Sequence, residues 1–327
     1  MKRFMLILFI GFELSYYLLI VQTGLVEYLQ SDLFLIAPLP IGGILGSLLI
    51  YFTDLKTDVK NENKITFFIV IQIMISFFYP NLSFVMLFFL GLSAGALAPL
   101  MINELKKAQV IDIGLALGIS YSIGTSFFNY DVADRTWIAL TLSLLVLIAS
   151  RFLPTQKQEH LSKEHHSLLI MLIWIFLDSA LFETLSREIV MPIWRLGLSG
   201  EIIFFHLLGI VLALYIKASH RHKEITTFVL FALSYLLYFM QESTLLAAFY
   251  PIVISYYNVL ILQTLLQKKL KTIGLYMVFI AWIASGAGLV VALSNLTMIM
   301  PVVIMLSFLS YTNKITHKEI QCLKYQS

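Results

Sequence analysis

The side chains best suited to chemistry in this sequence are two acids placed inside long apolar runs. Glu13 falls in the run 4–26 and Asp178 in the run 167–185. At about 1.5 Å per helical residue, Glu13 lies about 13 Å into an apolar layer about 30 Å thick, and Asp178 lies at a similar depth. An ionised carboxylate there costs about 3 kcal/mol, and loss of water favours the protonated form. The pair predicts proton carriage or recognition of a cationic group. The alternative is that each acid is neutral or bonded to a neighbouring helix.

Two further residues accompany these acids. His206 is the only histidine within an apolar run; it suits a proton relay with Asp178, or a structural role in which it is simply hydrogen-bonded. Tyr17 shares a helical stripe with Glu13. A tyrosine-lined cavity would suit an amphipathic or aromatic ligand, although aromatic residues at this spacing more often serve packing.

Charged pairs also occur near the ends of the runs. The four-residue spacing of Glu183 and Arg187 suits an ion pair, which is more commonly a surface pair and alternatively part of an outer gate. Arg135 with Asp131 and Asp134 predicts a solvated outer rim. The aromatic, amphipathic character of the segment 186–200 predicts that it lies in the membrane interface.

The elements that must position these residues are membrane-spanning helices. Of the 327 residues, 59% are hydrophobic and only 13% are charged, against about 25% charged in an average soluble domain. Mean hydropathy is +0.88. This composition excludes a water-soluble globule and intrinsic disorder. The basic residues form short clusters and no broad basic face, so no nucleic-acid partner is expected.

Twelve apolar segments are long enough to be considered as spans. The third, ninth and twelfth are short, so ten spans is an alternative count. The segments are 4–26, 33–53, 65–79, 82–103, 110–129, 135–153, 167–185, 200–217, 225–240, 244–266, 272–293 and 296–312.

The loop charges favour twelve spans with both termini in the cytoplasm. Cytoplasmic loops of membrane proteins carry an excess of lysine and arginine. With the N-terminus inside, strict alternation leaves only Arg135, Arg187 and Arg195 outside, among 22 lysines and arginines. If one span were miscounted, the lysine-rich loops that follow it would fall on the outside.

The chain divides into two halves. The longest polar stretch follows the sixth segment, which predicts a six-helix bundle over 1–153, a cytoplasmic linker over 154–166, a second bundle over 167–312 and a cytoplasmic tail over 313–327. Glu13 and Asp178 occupy equivalent positions in the first and seventh segments. Gly114 and Gly274 do the same in the fifth and eleventh. These matches predict an internal repeat.

In this arrangement the chain resembles the major facilitator superfamily, as a divergent and compact member. In the loop Tyr51-Phe52-Thr53-Asp54-Leu55-Lys56, Asp54 corresponds to the aspartate of the motif that the family carries between its second and third helices. Gly114, Gly118 and Gly124 resemble the glycines of its fifth-helix motif. The resemblance implies two bundles around a central cavity, alternating access, and substrate binding near the bilayer midplane.

Cofactors, metals and enzymatic activity are not expected. The sequence contains no phosphate-binding loop, nucleophile elbow or metalloprotease motif. Its single cysteine, Cys322, allows no disulfide framework. Five histidines cluster in the inner loops, where a cytoplasmic metal-sensing site is a minor alternative that no cysteine supports. They are His160, His165, His166, His220 and His222.

The sequence therefore predicts a multi-pass protein of the inner membrane that moves a small molecule by alternating access, coupled to protons. Carboxylates without intramembrane lysine or arginine favour a neutral or cationic substrate over an anionic one. Two alternatives are a non-transporting sensor or assembly factor on a transporter-like scaffold, and an intramembrane enzyme acting on a lipid.

Overall fold

The structure is a computed structural model, which describes residues 1–29, 32–56, 60–154, 164–187, 191 and 193–308. The side chains of residues 54–56, including Asp54, are outside this description. The predicted tail 313–327, most of the predicted linker, His160 and Cys322 also lie outside the described residues.

The described residues are helical and include no strand. Each predicted apolar segment overlaps one helix, and we number these helices α1 to α12 in chain order. They are α1 Lys2–Tyr28, α2 Pro38–Lys56, α3 Asn61–Ser76, α4 Phe84–Leu105, α5 Val110–Phe127, α6 Thr136–Ser150, α7 Leu168–Arg187, α8 Ser199–Tyr215, α9 His220–Phe239, α10 Ser243–Leu265, α11 Leu270–Leu293 and α12 Thr297–Phe308.

Seven of the described helices are long and apolar enough to cross a membrane. They are α1, α2, α4, α5, α7, α10 and α11. Helices α6, α8 and α12 are apolar but shorter. The chain is therefore a multi-pass, all-α membrane protein, as its composition predicts.

Polar residues at helix starts fix where several helices begin. Ser83 and Ser219 accept hydrogen bonds from backbone N–H groups in the first turns of α4 and α9. Gln109 and Asp112 form a capping box at the start of α5. Asp112 also pairs with Arg3, at 2.7 Å, so the beginnings of α1 and α5 lie side by side.

Packing partners recur with an offset of six helices. In the first half α1 packs on α5, α2 on α4, and α3 on α4; in the second half α7 packs on α11, α8 on α10, and α9 on α10. The two halves touch through α2 with α11 and through α8 with α5. These two contacts also correspond under the six-helix offset, since α2 corresponds to α8 and α11 corresponds to α5.

Glycines make the closest of these contacts possible. A Cβ on Gly42 of α2 would lie 2.0 Å from the carbonyl oxygen of Phe88 in α4. A Cβ on Gly209 of α8 would lie 2.6 Å from the carbonyl oxygen of Ile252 in α10. Glycines of α2 and α8 thus allow close approach of neighbouring helices.

The two repeat-related glycines lie at the contacts between the halves. A Cβ on Gly114 of α5 would lie 2.7 Å from Cγ2 of Ile210 in α8, and one on Gly274 of α11 would lie 3.0 Å from the carbonyl oxygen of Ser47 in α2. Residues matched by sequence thus occupy matched interfaces.

Helices α1 and α11 each contain a π-helical stretch, Tyr17–Gly24 and Val278–Ala284. In a π-helix the hydrogen bonds span one more residue than in an α-helix, which disturbs the regular pairing of carbonyls. Arg135 donates to the carbonyl oxygen of Leu19 inside the first stretch, at 3.0 Å.

The prediction that Arg135 belongs to a solvated rim is wrong, because its side chain is fully buried. Besides the contact to Leu19, its guanidinium donates to the carbonyl oxygens of Phe128 at 2.8 Å and Tyr130 at 3.0 Å. A guanidinium carries five donors, so it can satisfy several carbonyls where a chain turn and a helix irregularity meet.

A candidate substrate cavity between the halves

A cavity of about 260 Å³ lies between the two halves of the molecule. Its walls come from α1, α4 and α5 of the first half and from α7, α8, α10 and α11 of the second. Most lining side chains are apolar. The polar and ionisable ones include Glu13, Gln22, Asp178, His206, Tyr257 and Asn258. Sequence reasoning placed Glu13, Asp178, His206 and Tyr17 at one site, and the structure brings all four to this cavity.

Glu13 faces the cavity from the middle of α1 and is 4% exposed. Its Oε2 accepts a hydrogen bond from Nε2 of Gln72 in α3, at 3.1 Å. The same nitrogen lies 3.4 Å from the hydroxyl of Ser143 in α6. The bond comes from a neutral amide, and no described ion pair includes this carboxyl. The site therefore leaves the acid free to exchange a proton or to meet a cation.

Asp178 faces the cavity from the middle of α7 and is held by two phenols of α10. Oδ1 accepts from the hydroxyl of Tyr250 at 2.8 Å, and Oδ2 accepts from the hydroxyl of Tyr257 at 2.6 Å. Tyr250 and Tyr257 are seven residues apart, so two helical turns bring both hydroxyls to the same face. Hydrogen-bond donors on both oxygens stabilise the carboxylate form. The two acids therefore have different surroundings.

His206 lies in α8 and is joined to α10 instead of to Asp178. Its Nδ1 lies 2.7 Å from the hydroxyl of Ser255, and its ring stacks on that of Tyr121 with centroids 4.1 Å apart. Among the described residues, no hydrogen bond joins His206 to Asp178. A direct relay between the two is therefore not formed in this conformation, although both side chains line the same cavity.

Trp194 reaches the cavity from the segment between α7 and α8. The described centre of this segment is buried in the protein, since Met191, Ile193 and Trp194 are at most 4% exposed. A 3₁₀ turn over Ile193–Arg195 places the indole 5.7 Å from the ring of Phe182. These aromatic contacts draw the segment into the protein.

Tyr17 lines the cavity, while its neighbour Tyr16 points away from it. The ring of Tyr17 contacts Trp282 of α11 edge-on, with centroids 6.4 Å apart. The hydroxyl of Tyr16 lies 2.9 Å from that of Ser76 in α3. Ile20 and Gly24, which would lie on the same side of a regular helix as Glu13 and Tyr17, do not line the cavity. The π-helical stretch begins at Tyr17 and ends the regular 3.6-residue spacing.

Glu183 and Arg187 form the predicted ion pair, with 3.5 Å between Oε2 and a guanidinium nitrogen. The interpretation as a plain surface pair is wrong, because Glu183 is only 3% exposed. Gln22 of α1, which lines the cavity, lies close to Glu183. The pair therefore lies beside α1 near one end of the cavity.

Polar contacts between the halves also occur at both ends of the helices. At one end Arg195 donates to Glu27 at 2.7 Å. At the opposite end Nζ of Lys106, just after α4, donates to the carbonyl oxygen of Lys268, just after α10, at 2.6 Å. Contacts of this kind would have to break if either end were to open.

Sequence reasoning did not assign Trp194, Tyr250, Tyr257 and Trp282 to the site. The seven-residue spacing of the two tyrosines was a usable signal, since it puts both on one face of a helix. The others come from irregular backbone that no periodicity marks. Comparison with protein-family models and with curated proteins finds no match for the chain.

Proposed function

We propose that the chain is a secondary transporter that moves a small neutral or cationic molecule through the central cavity by alternating access. The observation that carries this proposal is the pair of acids, Glu13 and Asp178. They face one cavity from repeat-related helices that belong to different halves. A buried carboxyl must be neutralised or paired, and no described cation of the chain pairs with either of these acids.

The packing supports a transporter of the major facilitator type. The α2–α11 and α5–α8 contacts join two sets of six helices through symmetry-related interfaces lined by small residues. The cavity lies where these sets meet. We include in the proposal twelve spans, two six-helix bundles over 1–153 and 167–312, and both termini in the cytoplasm of a cell bounded by an inner membrane.

Contacts at the helix ends support the proposed orientation. Arg3 pairs with Asp112 where α1 and α5 begin. Lys106 contacts Lys268 where α4 and α10 end. Both contacts lie on the side to which the loop charges assign the lysine-rich loops. Glu27 and Arg195 meet on the opposite side. If the loops alternate between inside and outside, as the loop charges indicate, these helix ends must lie on the sides where the contacts place them.

Proton coupling follows from the different surroundings of the two acids. Tyr250 and Tyr257 favour the charged form of Asp178, whereas Glu13 receives a single amide bond. One acid is thus suited to remain charged and attract a cationic group. The other is suited to gain and lose a proton as the cavity changes its exposure to water.

The test compares small molecules in cells and medium by untargeted mass spectrometry. Four strains at matched expression are needed: the intact chain, a deletion, the Glu13→Gln/Asp178→Asn double variant, and a Glu62→Gln/Glu201→Gln double variant of exposed acids as control. We expect one compound whose distribution shifts in the deletion. The control variant should restore it and the cavity variant should not.

Two outcomes contradict the proposal. Full restoration by the cavity variant would leave transport standing and remove the carboxylate mechanism. No shifted compound in the deletion would remove transport and favour a sensor or assembly factor built on the same scaffold.

A further inference from the structure

A second polar cluster lies outside the cavity, where the segment before α7 meets the start of α9. Ser219 caps α9 and so sets the positions of His220, Lys223 and Glu224 in its first turn. Glu164 and His166 come from the segment that precedes α7. None of these side chains contributes to the cavity.

Three atoms of this cluster have the arrangement of metal ligands. Oε2 of Glu164 lies 2.9 Å from Nδ1 of His220 and 3.4 Å from Nε2 of His166. All three ligand atoms lie within 4.8 Å of one another. Bonds of about 2.0–2.1 Å to a tetrahedral zinc ion place neighbouring ligand atoms about 3.3 Å apart. Only small side-chain adjustments separate the cluster from that geometry.

The orientation of His166 points independently to a cation. Its side chain is fully buried, and its Nδ1 lies 2.8 Å from Oε1 of Glu224. Histidines that bind metals usually donate their second nitrogen to a carboxylate in this way. The opposite nitrogen, Nε2, has no hydrogen-bond partner among the described residues and faces a carboxylate oxygen. Without a proton or a metal ion between them, Nε2 of His166 and this oxygen of Glu164 would be two hydrogen-bond acceptors that repel each other.

Lys223 contacts the other oxygen of the Glu164 carboxylate. Its Nζ contacts Oε1, the oxygen that does not face the histidines.

We propose that Glu164, His166 and His220 bind one zinc ion, with Glu224 positioning His166. Imidazole and carboxylate ligands suit zinc among the common divalent ions. The side chain of His220 is 47% exposed, so water can reach the fourth coordination position.

Bound zinc would connect the end of the inter-half segment to the second half. The backbone N–H of His166 donates to the hydroxyl of Thr264 near the end of α10, and Gln267 contacts the backbone oxygen of Glu164. The ion would add α9 to this connection. Zinc occupancy would thus stiffen the point at which the chain enters α7.

The test uses the full chain, purified in lipid nanodiscs and stripped with a chelator. Zinc is titrated by calorimetry, and Co²⁺ is titrated by its visible absorption, which reports four-coordinate geometry. We expect one equivalent to bind. His220→Ala, at a half-exposed position, should abolish this binding, and Glu224→Gln should weaken it by about 10–100-fold.

The matched controls are His165→Ala and His222→Ala, which remove exposed histidines next to two of the ligands. Both should bind zinc as the parent chain does. Unchanged binding in His220→Ala, or loss of binding only in a control, would overturn the assignment. Failure of the stripped parent to bind zinc or cobalt would show that the cluster is an ion-pair network alone.

Discussion

At the scale of single residues, the buried polar groups of this chain differ in how completely they are satisfied. Arg135 is fully buried and has several carbonyl partners. Asp178 has a donor on each oxygen. Glu13 has one amide donor. Groups with many partners serve structure, and groups with few partners remain available for a ligand or a proton.

Replacement of Arg135 by alanine should destabilise the protein strongly. The carbonyls of Leu19 and Phe128 would lose a donor, at a cost of about 1–3 kcal/mol each. Arg135→Lys should retain only part of the stability, since a single ammonium cannot reach all of the carbonyl oxygens that the guanidinium contacts. Thermal unfolding in detergent measures the loss, and Arg151→Ala, an exposed arginine at the far end of α6, is the control. Equal melting temperatures for the two alanine variants would contradict the structural role.

The sequence predicted the types of the key residues better than their partners. Glu13 and Asp178 stood out because ionisable groups are rare and costly in apolar runs. Gln72, Tyr250 and Tyr257 did not, because polar and aromatic residues in spans most often serve packing. Arg135 was misjudged because its neighbours in sequence are acidic, whereas its partners are backbone oxygens, which no sequence pattern reveals.

At the scale of helices, each of the twelve predicted apolar runs overlaps a helix, and the closest pair packs through glycines. The α2–α4 contact is so close that Gly42 and Gly95 have backbone oxygen where a Cβ would lie, at 2.0 and 2.1 Å. The π-helical stretches could not be predicted, because a π-helix keeps an apolar composition and changes only the spacing.

Substitution of Gly95 by alanine should therefore disrupt the α2–α4 interface. Overpacking against backbone, which cannot move aside as a side chain can, costs about 1–3 kcal/mol or more. Gly286→Ala in α11 is the control, since a Cβ there meets nothing within 4 Å. It should be neutral or stabilising by up to about 1 kcal/mol. The order of melting temperatures checks the prediction, and a Gly95→Ala variant as stable as the parent would count against the contact.

At the scale of the whole molecule, polar contacts hold the two halves together at both ends of the cavity. The pair Glu27–Arg195 has 37% and 44% of its side chains exposed, so it contributes at most about 1 kcal/mol. Such a weak contact suits an end that opens and closes in the transport cycle that we propose.

Loss of this pair should make the cavity more accessible from that end. A Cys322→Ser background with Ser120→Cys in the cavity wall provides one labelling site, read with a membrane-impermeant maleimide. Glu27→Gln should raise the labelling rate by up to about fivefold, the Boltzmann factor for 1 kcal/mol. The exchange Glu27→Arg/Arg195→Glu should return the rate to its starting value. A rate unaffected by Glu27→Gln would mean that the pair does not control access.

The π-helical stretch of α1 makes chain length itself a determinant of the cavity. Each residue of an α-helix turns the chain by about 100°. If residues 17–24 were regular α-helix, the nine steps from Glu13 to Gln22 would turn the chain by about 900°, which puts the two side chains on opposite faces. A π-helical turn holds more residues, so each residue turns the chain by less, and Glu13 and Gln22 face the same cavity. The alignment of the acid with the rest of the cavity therefore depends on the extra residue that the π-helical stretch takes up.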